Sequence, residues 1–152
     1  DGSGEIFTYW DDLLIFLKSI TPDNFKEICF ITNANLLNFD RISELYSVSK
    51  NTGVKYFFNV SIDGITKETY ESIRINGNFE KLIENISLII QYFPIKFTFT
   101  LKKQNYKEAF QLKDFLEKTF KFKNYYEISF GADVYDKSLF KYLKFLKDYK
   151  SL

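Results

Sequence analysis

The side chains able to do chemistry gather in four short stretches: Gly2-Ser3-Gly4-Glu5, Thr32-Asn33-Ala34-Asn35, Ser61-Ile62-Asp63-Gly64 and Arg74-Ile75-Asn76-Gly77-Asn78-Phe79-Glu80. They combine glycines that permit close backbone approach, oxygens that accept hydrogen bonds, and one guanidinium fork. The chain has no histidine, which removes zinc hydrolase sites, Ser-His and Cys-His nucleophile pairs, and the commonest general base. Its one cysteine, Cys29, cannot form an internal disulfide. Within Glu27-Ile28-Cys29-Phe30-Ile31 it reads as a small core residue rather than a reactive thiol.

The elements that must position these stretches follow from hydrophobic spacing. Trp10, Leu13, Leu14 and Leu17 predict an amphipathic helix stopping before Thr21-Pro22, and residues 27 to 32 a first strand. Asp40 suits the cap of a helix bearing Ile42, Leu45 and Tyr46, with Gly53 as a left-handed C-terminal cap. A second strand covers residues 54 to 61 and a short helix 66 to 73. A longer helix carries Phe79, Leu82, Ile83, Ile86, Ile90 and Phe93 up to Pro94. Strand three runs from Ile95 to Leu101, and Asn105 suits the cap of a helix bearing Leu112, Phe115, Leu116 and Phe120. Strand four spans about 125 to 130, and a last helix presents Leu139, Tyr142, Leu143, Leu146 and Tyr149.

Strands alternating with helices imply parallel βα repeats and an α/β fold. Lys96, Thr98 and Thr100 share one face of strand three, Asn59, Ser61 and Asp63 one face of strand two, and Glu127 and Ser129 one face of strand four. A doubly wound sheet buries both faces, so one-sided polarity points to part of a TIM-type barrel.

The 152 residues, 45% apolar and 27% charged, suit a single domain. Lys and Arg number 21 against 20 Asp and Glu, with no block of five or six like charges, which gives no support for nucleic acid or an anionic membrane as partner. The 18 Phe and 11 Tyr read as packing, because no basic groove accompanies them. No secretory leader or apolar run of membrane-spanning length is present, so a cytoplasmic setting is expected. The chain starts at Asp1, inside a glycine-rich loop, so it is expected to be a segment of a longer polypeptide.

In parallel α/β architectures ligands bind in the loops after the strands, where the four stretches lie. In this order and register they resemble the radical SAM family, in particular its SPASM-type branch: a GGE-type loop, a strand ending in Thr-Asn-Gly, a strand ending Ser-Leu-Asp-Gly, and an arginine followed by Gly-x-Phe. The resemblance covers roughly residues 2 to 120. It implies that Gly2, Ser3, Gly4 and Glu5 receive the methionyl ammonium of S-adenosylmethionine, an ammonium having three donors that need acceptors. It also implies that Ser61 contacts the methionine carboxylate or the ribose, and that Arg74 pairs with that carboxylate. Asn59 and Asp63, on the face of Ser61, are placed to orient ligand hydroxyls, and Asp63-Gly64 also suits a turn. The same residues admit plainer readings, the first loop as a turn before the helix at Trp10 and Arg74 as a surface partner of Glu71 or Glu80.

Three departures from the family stand out. Ala34 replaces a glycine, Ile6 replaces the usual proline, and the Cys-x3-Cys-x2-Cys that binds a [4Fe-4S] cluster is missing. The resemblance places those cysteines, with the first two barrel strands, upstream of Asp1. The parent reaction it implies is reductive cleavage of S-adenosylmethionine to a 5′-deoxyadenosyl radical, with peptide or protein modification as the leaning. This segment alone is expected to be inactive. A degenerate α/β nucleotide-binding or scaffold domain without redox activity is the alternative.

Overall fold

Strands and helices alternate along the chain, as the apolar spacing predicts. The computed structural model describes residues 4–122, 126–132 and 135–146. After a 3-10 turn at Ile6–Tyr9 come α1 (Trp10–Ser19), β1 (Glu27–Thr32), α2 (Phe39–Thr52), β2 (Lys55–Ser61), α3 (Lys67–Ile73) and α4 (Phe79–Tyr92). They are followed by β3 (Ile95–Leu101), α5 (Leu112–Thr119), β4 (Tyr126–Ala132) and α6 (Phe140–Leu146). The expected positions Gly2, Ser3, residue 125 and Tyr149 lie outside the described residues.

The strands form one all-parallel sheet in the order β1-β2-β3-β4, so the fold is α/β. Phe30 lies opposite Phe58, Phe58 opposite Ile95 and Ile95 opposite Tyr126, which aligns the apolar positions across one face. That face joins Leu17, Leu45, Ile86 and Leu112 of the helices in a single core. Burying each such side chain contributes about 1.5–3 kcal/mol, and a one-residue slip would turn the whole set toward solvent, so the apolar pattern sets the register. The opposite face carries Ile31, Asn59, Ser61, Lys96, Thr98 and Ser129, and no strand residue on it is buried among the described residues. The one-sided polarity expected from sequence is therefore present. No helix among the described residues is long and apolar enough to cross a membrane.

Three expectations are corrected. Cys29 is exposed rather than in the core. Alternation decides this: Phe30 and Thr32 of β1 point inward, so Glu27, Cys29 and Ile31 point outward. The cap of α2 is Asn38, whose Oδ1 accepts from the Arg41 N–H at 2.9 Å, and Asp40 sits inside the first turn. Asn105 caps no helix; it is wholly buried in a polar network, and α5 begins further on, at Leu112. Gly53, by contrast, is the expected left-handed cap, with φ of 78°.

Candidate functional site

The segments following β1, β2 and β3 converge at the C-terminal edge of the sheet. A cleft of about 760 Å³ there is lined by Glu5, Asn33 and Asn35, by Asp63 and Arg74, and by Thr100 and Lys102. A smaller hollow of about 190 Å³ shares Glu5, Asn33 and Arg74 and adds Gly4, Thr32 and Ser61. Of the residues expected from sequence, Gly4, Glu5, Ser61, Asp63 and Arg74 are thus brought together. Asn59 lines neither space; its Oδ1 accepts from the Thr98 hydroxyl at 2.7 Å on the open face of the sheet.

Glu5 fastens the entering loop to the end of β1. Its carboxylate accepts from the Thr32 hydroxyl at 2.8 and 2.9 Å and from the Asn33 N–H at 3.0 Å. Thr32 Oγ1 in turn accepts from the Ala34 N–H at 2.9 Å. Ala34 holds φ of 60°, a left-handed conformation that favours glycine, which gives a physical reason for a glycine at this place. Buried Asn85 of α4 secures the same loop, donating to the Ala34 and Leu37 carbonyls at 2.7 and 2.9 Å. Gly4 is different: a Cβ built on it meets nothing within 4 Å among the described residues, which leave open space beside it.

Asp63 is 2% exposed. A carboxylate so placed needs compensation on both oxygens. Oδ2 accepts from Arg74 Nε at 2.8 Å and also pairs with Nη2, while Oδ1 accepts from the Thr100 N–H at 2.9 Å. Asn105 Nδ2 donates to the Asp63 and Thr100 carbonyls, both at 2.9 Å, and Asn105 Oδ1 accepts from the Lys102 N–H at 2.7 Å. The network fixes the ends of β2 and β3 to one another. Arg74 therefore presents its Nε edge to Asp63 rather than to Glu71 or Glu80, whose nearest cation is Lys67. Its side chain stays 34% exposed, and Nη1 has no hydrogen-bond partner among the described residues, so the outer edge of the fork remains available to the cleft.

Glu108 holds α3 in place from beyond β3, accepting from the Ile65 N–H at 2.7 Å and the Thr69 hydroxyl at 2.6 Å. Tyr70 of α3 is wholly buried, and burial pushes its hydroxyl above the usual tyrosine value, opposed by the bond donated from Asn35 Nδ2. Desolvation likewise raises the Cys29 thiol, with Lys96 opposing; a thiol so shifted is a poor nucleophile at neutral pH.

Sequence reasoning did not single out Asn85, Lys102 or Glu108, and it misplaced Asn105. Asn85 carried a readable signal, a polar side chain in the stripe of Leu82, Ile86 and Ile89. Glu108 and Asn105 depend on partners about forty residues away, which no local pattern encodes. No family model matches the chain, and no curated protein matches it in sequence.

Proposed function

We propose that this chain is the S-adenosylmethionine-binding segment of a radical SAM enzyme, forming part of a TIM-type barrel. The observation that carries the reading is the pairing, within one cleft at the C-terminal edge of a parallel sheet, of the Glu5 carboxylate with the outer edge of the Arg74 fork. An amino acid end has a matching ammonium and carboxylate. Sequential strand order with helices on one face is what successive barrel segments require, whereas a doubly wound sheet reverses direction at a switch point. Ser61, its hydroxyl without a partner among the described residues, stands beside Gly4 and Arg74 for a further ligand oxygen.

The residues present fit the methionyl end of S-adenosylmethionine but not an iron–sulfur cluster. One cysteine and no histidine are available, and Cys29 lies within β1 rather than at the cleft. In this reading a [4Fe-4S] cluster depends on thiolates outside the chain, and no step is derived through it. When bound, S-adenosylmethionine supplies the sulfonium whose carbon–sulfur bond is cleaved reductively. The chain's own residues accept the ammonium (Glu5), grip the carboxylate (Arg74) and hold that grip in place (Asp63). A peptide or protein substrate and a cytoplasmic setting belong to the same reading.

Gly4→Val tests it without touching the folded network. The valine side chain occupies the open space beside Gly4, so calorimetry should show S-adenosylhomocysteine binding at least tenfold more weakly, roughly 1.4 kcal/mol, with an unchanged denaturation midpoint. Equal binding by both proteins would remove the loop from the site. ATP binding more tightly than S-adenosylhomocysteine would favour a nucleotide-binding module.

A further inference from the structure

The cleft contains one cation that the methionyl end does not use. Lys102 follows directly after β3 and is half-buried, and its ammonium has no ion-pair or hydrogen-bond partner among the described residues, although it lines the 760 Å³ cleft. Nearby lysines behave differently: Lys96 pairs with Glu127 at 3.1 Å and Lys103 with Asp136 at 3.5 Å. The backbone of Lys102 is fixed, because its main-chain N–H donates to the buried Asn105 side chain at 2.7 Å. The cleft also bears exposed apolar side chains, Leu36 at 41% and Ile75 at 90%. Asp63 is already paired with Arg74, and neither Asp63 nor Glu5 forms an ion pair with Lys102 among the described residues.

We propose that Lys102 marks a second binding position in this cleft, for a substrate carboxylate that carries an apolar side chain beside it. An ammonium without a partner gains most from an anion that reaches it, and the cleft's Leu36 and Ile75 favour an amphipathic ligand over inorganic anions. This rests on the reading above, in which Glu5 and Arg74 belong to S-adenosylmethionine.

The test is an NMR titration of the whole chain with N-acetyl-leucine and with N-acetyl-leucinamide, which differ in the carboxylate alone. The acid should bind roughly three- to tenfold more tightly than the amide, the range expected for one partly screened charge pair. Lys102→Met should erase that difference while leaving S-adenosylhomocysteine binding unchanged. Acid and amide binding alike, or a preference that survives Lys102→Met and disappears in Arg74→Ala, would overturn the proposal. If S-adenosylhomocysteine binds neither protein while N-acetyl-leucine still distinguishes them, the cofactor reading fails and the carboxylate site stands.

Discussion

Asp63 shows what a single residue must satisfy before it can serve a site. Its buried carboxylate is tolerable only because Arg74 and the Thr100 N–H meet both oxygens. Arg74→Ala removes the one countercharge, so the chain should lose about 3 kcal/mol in chemical denaturation, and Arg74→Ala with Asp63→Asn should recover part of that loss. A double variant no more stable than the single one would show that the pair does not act as a unit. Arg74 was legible in the sequence as a fork able to hold a carboxylate. Its actual partner was not, because Asp63, Glu71 and Glu80 are all near in sequence and only the path of α3 selects among them. Cys29 shows the opposite failure: an apolar context suggested the core, yet strand parity turned it outward.

At the scale of elements, most boundaries were readable, because Gly53 and Pro94 act locally. Helix starts were less so, since Asn38 and Asp40 are both competent caps and the backbone chooses one. Asn38→Ala should cost about 1 kcal/mol in thermal denaturation and Asp40→Ala distinctly less; the reverse order would restore Asp40 as the cap. Gly64 allows α3 to press against β2, a Cβ there lying 2.6 Å from the Tyr70 nitrogen. Gly64→Ala should therefore destabilise by about 1–3 kcal/mol, because backbone cannot yield as a side chain can.

The contact between β4 and α5 supplies a pH test. Burial, then the bond donated to Glu117 and that carboxylate's charge, push the Tyr126 hydroxyl up to about 12. The folded state then holds this proton where the unfolded chain, near 10, has released it. The stabilisation is whole below pH 10 and fades as pH rises toward 12. Tyr126→Phe should flatten that decline when stability is followed across this range; an unchanged slope would assign the alkaline loss to other groups.

For the whole molecule, the legible features were the alternation of strands and helices, which gave the parallel α/β sheet, and the one-sided polarity of its strands. The arrangement of the cleft was less legible, because it depends on Asn85, Glu108 and Asn105 reaching across loops to fix the segments after β1, β2 and β3. The same architecture gives the site its polarity, with acceptor and donor residues delivered by different loops to one edge. The proposed ligand would be held there by its methionyl end. Calorimetric titration with S-adenosylhomocysteine and with 5′-methylthioadenosine, which lacks the ammonium and carboxylate, addresses it on the unmodified chain. S-adenosylhomocysteine should bind at least tenfold more tightly, roughly 1.4 kcal/mol, and Glu5→Gln should narrow the gap. Equal affinity for the two ligands would take the methionyl end out of the cleft.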